Sequence, residues 1–218
     1  TCLKFHPEDP NLVFQGAEDL AVRVWDMRSS SCSSGQPCAN LVGFVYFPLA
    51  MDVHASGSFV ATGCKGFDNL GADVKVWDLR ATKGGTQGNV KVESATAPHF
   101  SYSGHGMDAS SVKFIARDTI LSAGKDGSVM VSNPLLDQNR LLPGALARNV
   151  MSVSVAPTSV HGSPAEACFA TVGHLDTGAL SRVQVHPSKA FEEGIADSEV
   201  VGVISTLAGR QGGVDVAF

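Results

Sequence analysis

The 218-residue chain carries a formal net charge of −5, with 44% hydrophobic and only 17% charged residues. That balance allows a substantial core and argues against a disordered tail. Its sixteen Lys and Arg are scattered and form no basic stripe to track a phosphate backbone, so nucleic-acid binding is disfavoured. No apolar run reaches the ~18 residues of a membrane helix, so no membrane insertion is expected. In chain order, CLKFHP (2–7) is the first strand signal. LVFQGAED (12–19) follows and enters a turn, and VRVWDMR (22–28) alternates with the period of two that marks a half-buried strand. The Ser-rich SSSCSSGQPCAN (29–40) reads as a mobile loop leading to a fourth strand, NLVGFVYF (40–47).

The same order then recurs. The second unit reads AMDVHASG (50–57), FVATGCKG (59–66), VKVWDLR (74–80) and HFSYSG (99–104). The third reads VKFIA (112–116), TILSAGKDG (119–127), VMVSNPL (129–135) and RLLPG (140–144). The fourth reads VMSVSVAP (150–157), ACFATVGHLD (167–176), RVQVHPS (182–188) and VVGVIST (200–206). Trp25 and Trp77 are 52 residues apart; Ser132 and His186 occupy the matching positions 55 and then 54 residues further on. A fixed spacing of this kind is the sign of a repeat architecture. GGVDVAF (212–218) reads as the first strand of a further unit, and only PSKAFEEGIAD (187–197) could hold a helical turn. The units span about 1–47, 48–104, 105–144 and 145–207, with 208–218 opening the next.

VRVWDMR and VKVWDLR, with SGH at 103–105 and SAGKDGSV at 122–129, resemble WD repeats over essentially the whole chain. The resemblance implies an all-β, WD-repeat β-propeller of about four four-stranded blades plus one strand, expected to be a fragment of a larger, seven-bladed ring. It also implies a buried pinning network of His, a hydroxyl, Asp and Trp, in which the indole N–H needs an acceptor. Carried over, unit three has His105, Ser122 and Asp126, with Ser132 replacing Trp. Unit one has Asp19 and Trp25, with Gln15 at the hydroxyl position. Unit two has Thr62 and Trp77, and the insertion GFDNLGAD (66–73) leaves its Asp open between Asp68 and Asp73. Unit four keeps Thr171 and Asp176.

For a chain of this kind the expected function is non-enzymatic: a scaffold binding other proteins, without cofactor or metal, in the cytoplasm or the nucleus. Five cysteines, an odd number without ligand-like spacing, are expected as free thiols of a reducing compartment; Cys32 and Cys38 flank a flexible stretch and could bridge if oxidised. The seven histidines show no zinc-like spacing. A second reading takes the paired WDxR motifs, with Arg28 and Arg80 emerging on one face, as resembling substrate receptors of a cullin–RING ubiquitin ligase, whose Arg contacts the adaptor. The alternative for these arginines is simple pairing with Asp26 and Asp78. A third reading takes Asp176-Thr177-Gly178 as an aspartic-protease-like loop, although only one copy is present where two are needed. A second binding candidate is an apolar patch. The connection bearing Phe44, Tyr46 and Phe47 and the insertion bearing Phe67 and Leu70 open on one face and border one blade. The alternative is that Phe44 and Tyr46 pack between blades.

Overall fold

Alternating Val and polar residues, punctuated by Gly and Asp turns, make short antiparallel strands the only regular structure most of this chain can sustain. In the computed structural model, residues 1–81, 94–116, 118–142, 150–155, 169–174, 180–186 and 199–205 are described. They form four antiparallel sheets of four strands each, every sheet made by one consecutive stretch of chain. Blade 1 holds β1 (Cys2–Phe5), β2 (Leu12–Ala17), β3 (Ala21–Asp26) and β4 (Ala39–Leu41). Blade 2 holds β5 (Pro48–Val53), β6 (Phe59–Cys64), β7 (Asp73–Asp78) and β8 (Phe100–Ser103). Blade 3 holds β9 (Ala109–Ala116), β10 (Thr119–Gly124), β11 (Val129–Asn133) and β12 (Gln138–Leu141). Blade 4 holds β13 (Val150–Val155), β14 (Phe169–His174), β15 (Leu180–His186) and β16 (Glu199–Ser205).

The registers place the repeat in phase. Trp25 faces Val13, Trp77 faces Val60, Ser132 faces Ile120 and His186 faces Phe169. Two residues earlier on each third strand, the partners are Gln15, Thr62, Ser122 and Thr171. Because successive side chains point to opposite faces of a strand, each blade has two apolar faces. On β7, Trp77 joins Phe14, Val22, Val24 and Leu41 in the core between blades 1 and 2. Val74 and Val76 turn the other way, onto Ala109, Val112, Ile120 and Met130 of blade 3. Leu121, Ala123 and Val129 of blade 3 pack on Val153 of blade 4. The opposite face of blade 1 meets no described sheet, so Leu3 and Phe5 are exposed and Trp25 is only half-buried.

Two local departures from the expected elements matter. The expected strand over 40–47 ends at Leu41. Gly43 has φ of +101°, a backbone region open mainly to glycine, and it bends the chain off the sheet. The vacated edge is taken by Ala95, which bridges Leu41 in parallel through Ala95 N–H to Asn40 O (2.9 Å) and Val42 N–H to Ala95 O (2.9 Å). An edge covered in this way is closed to pairing with another chain. The Ser-rich stretch, expected as a plain loop, contains one helical turn, Ser30–Ser33. The expected helical turn at 187–197 and the strand at 212–218 lie outside the described residues.

Candidate functional site

The pinning network is most complete in blade 3. His105, buried in the connection before β9, points its Nε2 at Ser122 Oγ (2.9 Å) and its Nδ1 at Ser128 Oγ (2.6 Å). Ser128 Oγ–H donates to Asp126 Oδ1 at 2.6 Å, whereas the direct His105–Asp126 separation is 3.7 Å, so the hydroxyl is the shorter route. An ionised carboxylate only accepts, which sets the direction of every bond. Ser128 donates to Asp126 and therefore accepts from His105 Nδ1–H. In the neutral imidazole Nε2 is then the acceptor, and Ser122 donates to it. Ser122 Oγ accepts in turn from the Tyr102 hydroxyl at 2.5 Å. Burial pushes the Asp126 carboxyl up, but His105, Ser128 and the Gly106 N–H (2.6 Å) outweigh it and hold the group well below the usual carboxylate range.

Tyr102 thus stands in for the missing tryptophan. It comes from β8 of the neighbouring blade, so the chain of bonds Tyr102–Ser122–His105–Ser128–Asp126 ties blade 2 to blade 3. The sequence signal was present only as the gap at Ser132, whose buried hydroxyl lies beside that of Tyr102.

The other units depart from the expected network. The Trp25 indole N–H donates to Gln15 Oε1 (2.9 Å), so Gln15 replaces the hydroxyl. Asp19 takes no part in pinning: it ion-pairs at the surface with Arg23, four residues on in β3. Thr62 does not accept from Trp77; its hydroxyl donates to Lys75 O at 3.4 Å, and the Trp77 indole N–H is buried without a partner among the described residues. Trp77 is held instead by apolar contact, with the Phe44 ring 5.5 Å away. Asp73 pairs with Lys75 (3.2 Å) and Ser103, while Asp68 sits exposed at a turn.

On the rim, Arg28 and Arg80 adopt the same arrangement. Each backbone N–H is capped by the carboxylate two residues earlier, Asp26 at 3.0 Å and Asp78 at 2.8 Å. Each guanidinium forks onto that same carboxylate, at 2.9 and 3.1 Å for Arg28 and at 3.1 and 3.0 Å for Arg80. Arg28 adds Asp9 at 2.8 Å, and Arg80 lies 4.4 Å above the Phe59 ring. In blade 3 the same turn is capped by Asn133, and Leu135 occupies the arginine position.

Exposed apolar side chains occur on this rim, at Met27, Leu135 and Leu136, and also at the opposite end of the blades. The insertion in blade 2 closes a two-residue turn: Phe67 and Leu70 exchange both backbone bonds (2.9 and 3.0 Å) around Asp68 and Asn69. Both central residues have positive φ, 51° and 62°, the pattern of a type I′ hairpin and one that Asp and Asn tolerate. The hairpin is fastened on three sides. Asn69 N–H donates to Gly106 O (2.9 Å), Gly66 N–H donates to Asp108 Oδ1 (2.9 Å), and Lys65 N–H donates to Phe47 O (2.9 Å). Tyr46 packs under Gly71, whose φ of +78° and missing Cβ let the ring approach. The connection 42–47 and the insertion therefore do meet. Phe67 is 70% and Leu70 58% exposed, while Phe47 is half-buried beneath Lys65 Nζ, 5.0 Å from its ring centroid. Phe44 is buried between the blades, although it lies outside any strand.

Asp176, Thr177, Gly178, His161 and Cys168 lie outside the described residues, and Thr171 is described in backbone only. Among the described residues no group of three or more His, Cys, Asp or Glu is placed to hold a metal ion. No helix of the described residues is long and apolar enough to cross a membrane.

No protein-family model and no curated protein matches the sequence. Solved structures do match in fold. Sqt1 of Chaetomium thermophilum superposes with a TM-score of 0.65 at 18% identity, over 94% of this chain and 49% of that one. A chain of the Mitotic Checkpoint Complex superposes with a TM-score of 0.63 at 15% identity, over 96% of this chain and 52% of that one. Both are WD40 β-propellers. The chain folds as four blades of a WD-repeat β-propeller and spans about half the length of the chains it matches.

Proposed function

We propose that this protein is a non-enzymatic scaffold that docks other proteins through the face built by residues 43–47, 65–72 and 104–108. One observation carries the reading: Phe67 and Leu70 are exposed on a turn that three of its backbone N–H groups fasten, two to carbonyls and one to the Asp108 carboxylate. Ordering a loop on binding costs free energy, and a turn whose backbone is already fastened avoids the backbone part of that cost. Val45 and Met107, 54% and 40% exposed, extend the apolar surface on either side. The rim with Arg28 and Arg80 is less suited to an adaptor, because Asp26, Asp9 and Asp78 already occupy both guanidiniums.

A photo-cross-linking amino acid placed at position 67 of the protein in cells should give discrete adducts that disappear on adding Leu70→Ser. The same group at position 135, on the opposite rim, should not give those adducts. Identical adduct patterns at the two positions, or none at position 67, would overturn the proposal.

A further inference from the structure

The charges beside the hairpin are arranged in an order that restricts what can bind there. Lys4, Arg23, Arg28, Lys75, Arg80 and Lys125 each have a carboxylate within salt-bridge distance. Lys65 has none among the described residues; its ammonium rests on the Phe47 ring instead. Lys65 and Phe67 are both exposed, whereas Gly66 between them is buried with its N–H on Asp108. At the tip, Asp68 is exposed and has no ion pair among the described residues. From base to tip the surface therefore reads cation, apolar pair, anion.

Resting on the docking reading above, we propose that the hairpin binds a linear peptide segment of defined charge order. An acidic side chain meets Lys65, an apolar side chain lies over Phe67 and Leu70, and a basic side chain meets Asp68. An ammonium on an aromatic face keeps its charge available to a carboxylate while its stem is already fixed. The opposite charge at the tip repels a carboxylate there, so the two charges together set the direction in which the segment lies. Complementary and repulsive charges at an interface edge select the partner and its register more than they add affinity.

Panning a random dodecapeptide display library on the wild-type protein, with counter-selection on Phe67→Ser/Leu70→Ser, tests this. Recovered peptides should be enriched in the order acidic, apolar, basic. By fluorescence anisotropy, Lys65→Glu should weaken a recovered peptide about tenfold, and changing that peptide's acidic residue to Lys should restore binding to Lys65→Glu. Melting temperatures of all variants should match wild type, because the changed side chains are exposed. Peptides that need Phe67 but show no acidic enrichment, or ignore Lys65→Glu, overturn the charge order and leave the docking face intact. Peptides that bind Phe67→Ser/Leu70→Ser equally well overturn the docking face too. Recovery of no peptide overturns the linear segment as occupant.

Discussion

The substitution of Tyr102 for a tryptophan can be tested by breaking its bond from each side. Tyr102→Phe removes one donor but leaves Ser122 still bonded to His105, so the loss is that of one net buried hydrogen bond, about 0.5–1.5 kcal/mol. Ser122→Ala strands His105 Nε2, at about 1–3 kcal/mol before relaxation, and leaves the Tyr102 hydroxyl only its weaker contact with Ser132. Once Ser122 is gone, the Tyr102 hydroxyl has lost its well-formed bond, so removing it as well should cost little. The double variant should therefore be more stable than additivity predicts by about 1 kcal/mol. Urea unfolding followed by far-ultraviolet circular dichroism measures all four states, and each kcal/mol corresponds to roughly 2–4 °C in Tm for a chain of this size. Additivity within about 0.5 kcal/mol would refute the claim that these two hydroxyls act as one unit across the blades.

Trp77→Ala should destabilise by about 3–5 kcal/mol in the same assay, since the side chain is fully buried beside Phe44; an unchanged Tm would remove it from the core. Asp126 is held below the ordinary carboxylate range in the folded protein, so below about pH 4 the unfolded chain takes up a proton that the folded one refuses. The stability it contributes is fully present above that pH and is lost on acidification; Asp126→Asn should flatten the decline in urea midpoint between pH 6 and pH 3. Cys64 is buried, and burial pushes its thiol up to about 12, so iodoacetamide at pH 8 should label exposed Cys38 and spare Cys64 until urea is added. Mass spectrometry of the digested protein reads this directly. Asn69→Val forces a β-branched residue to positive φ and should weaken partner binding without touching Phe67 or Leu70.

Much of the fold was legible because strand periodicity is a local property. Val74 and Val76 on one side of β7 and Trp77 on the other are readable from the letters alone, and they face different blades as the alternation requires. The end of β4 at Leu41 was not readable, because it depends on Gly43 and on a segment some fifty residues away that supplies Ala95. In blade 3 His105, Ser122 and Asp126 were legible, but Ser128, the hydroxyl that links His105 to Asp126, was not. The last member of the network, Tyr102, belongs to another blade, and no motif within one repeat points across a boundary. Thr62 and Trp77 were expected to bond because they share the register of the motif; the structure gives Thr62 a backbone carbonyl instead. In the docking face, the meeting of the two loops followed from blade geometry. The turn type, its three fastening bonds and the seat of Lys65 on the Phe47 ring depended on tertiary contacts.

The docking claim is tested most directly by the dissociation constant of a bound partner or selected peptide, measured on wild type and on Phe67→Ser/Leu70→Ser at equal folded fraction. Buried aromatic and aliphatic anchors are worth about 2 kcal/mol or more each on truncation. The double change should therefore weaken binding by at least tenfold, while exposure of both side chains keeps stability within about 0.5 kcal/mol of wild type. An unchanged dissociation constant would contradict the assignment of this face as the site where the protein holds its partners.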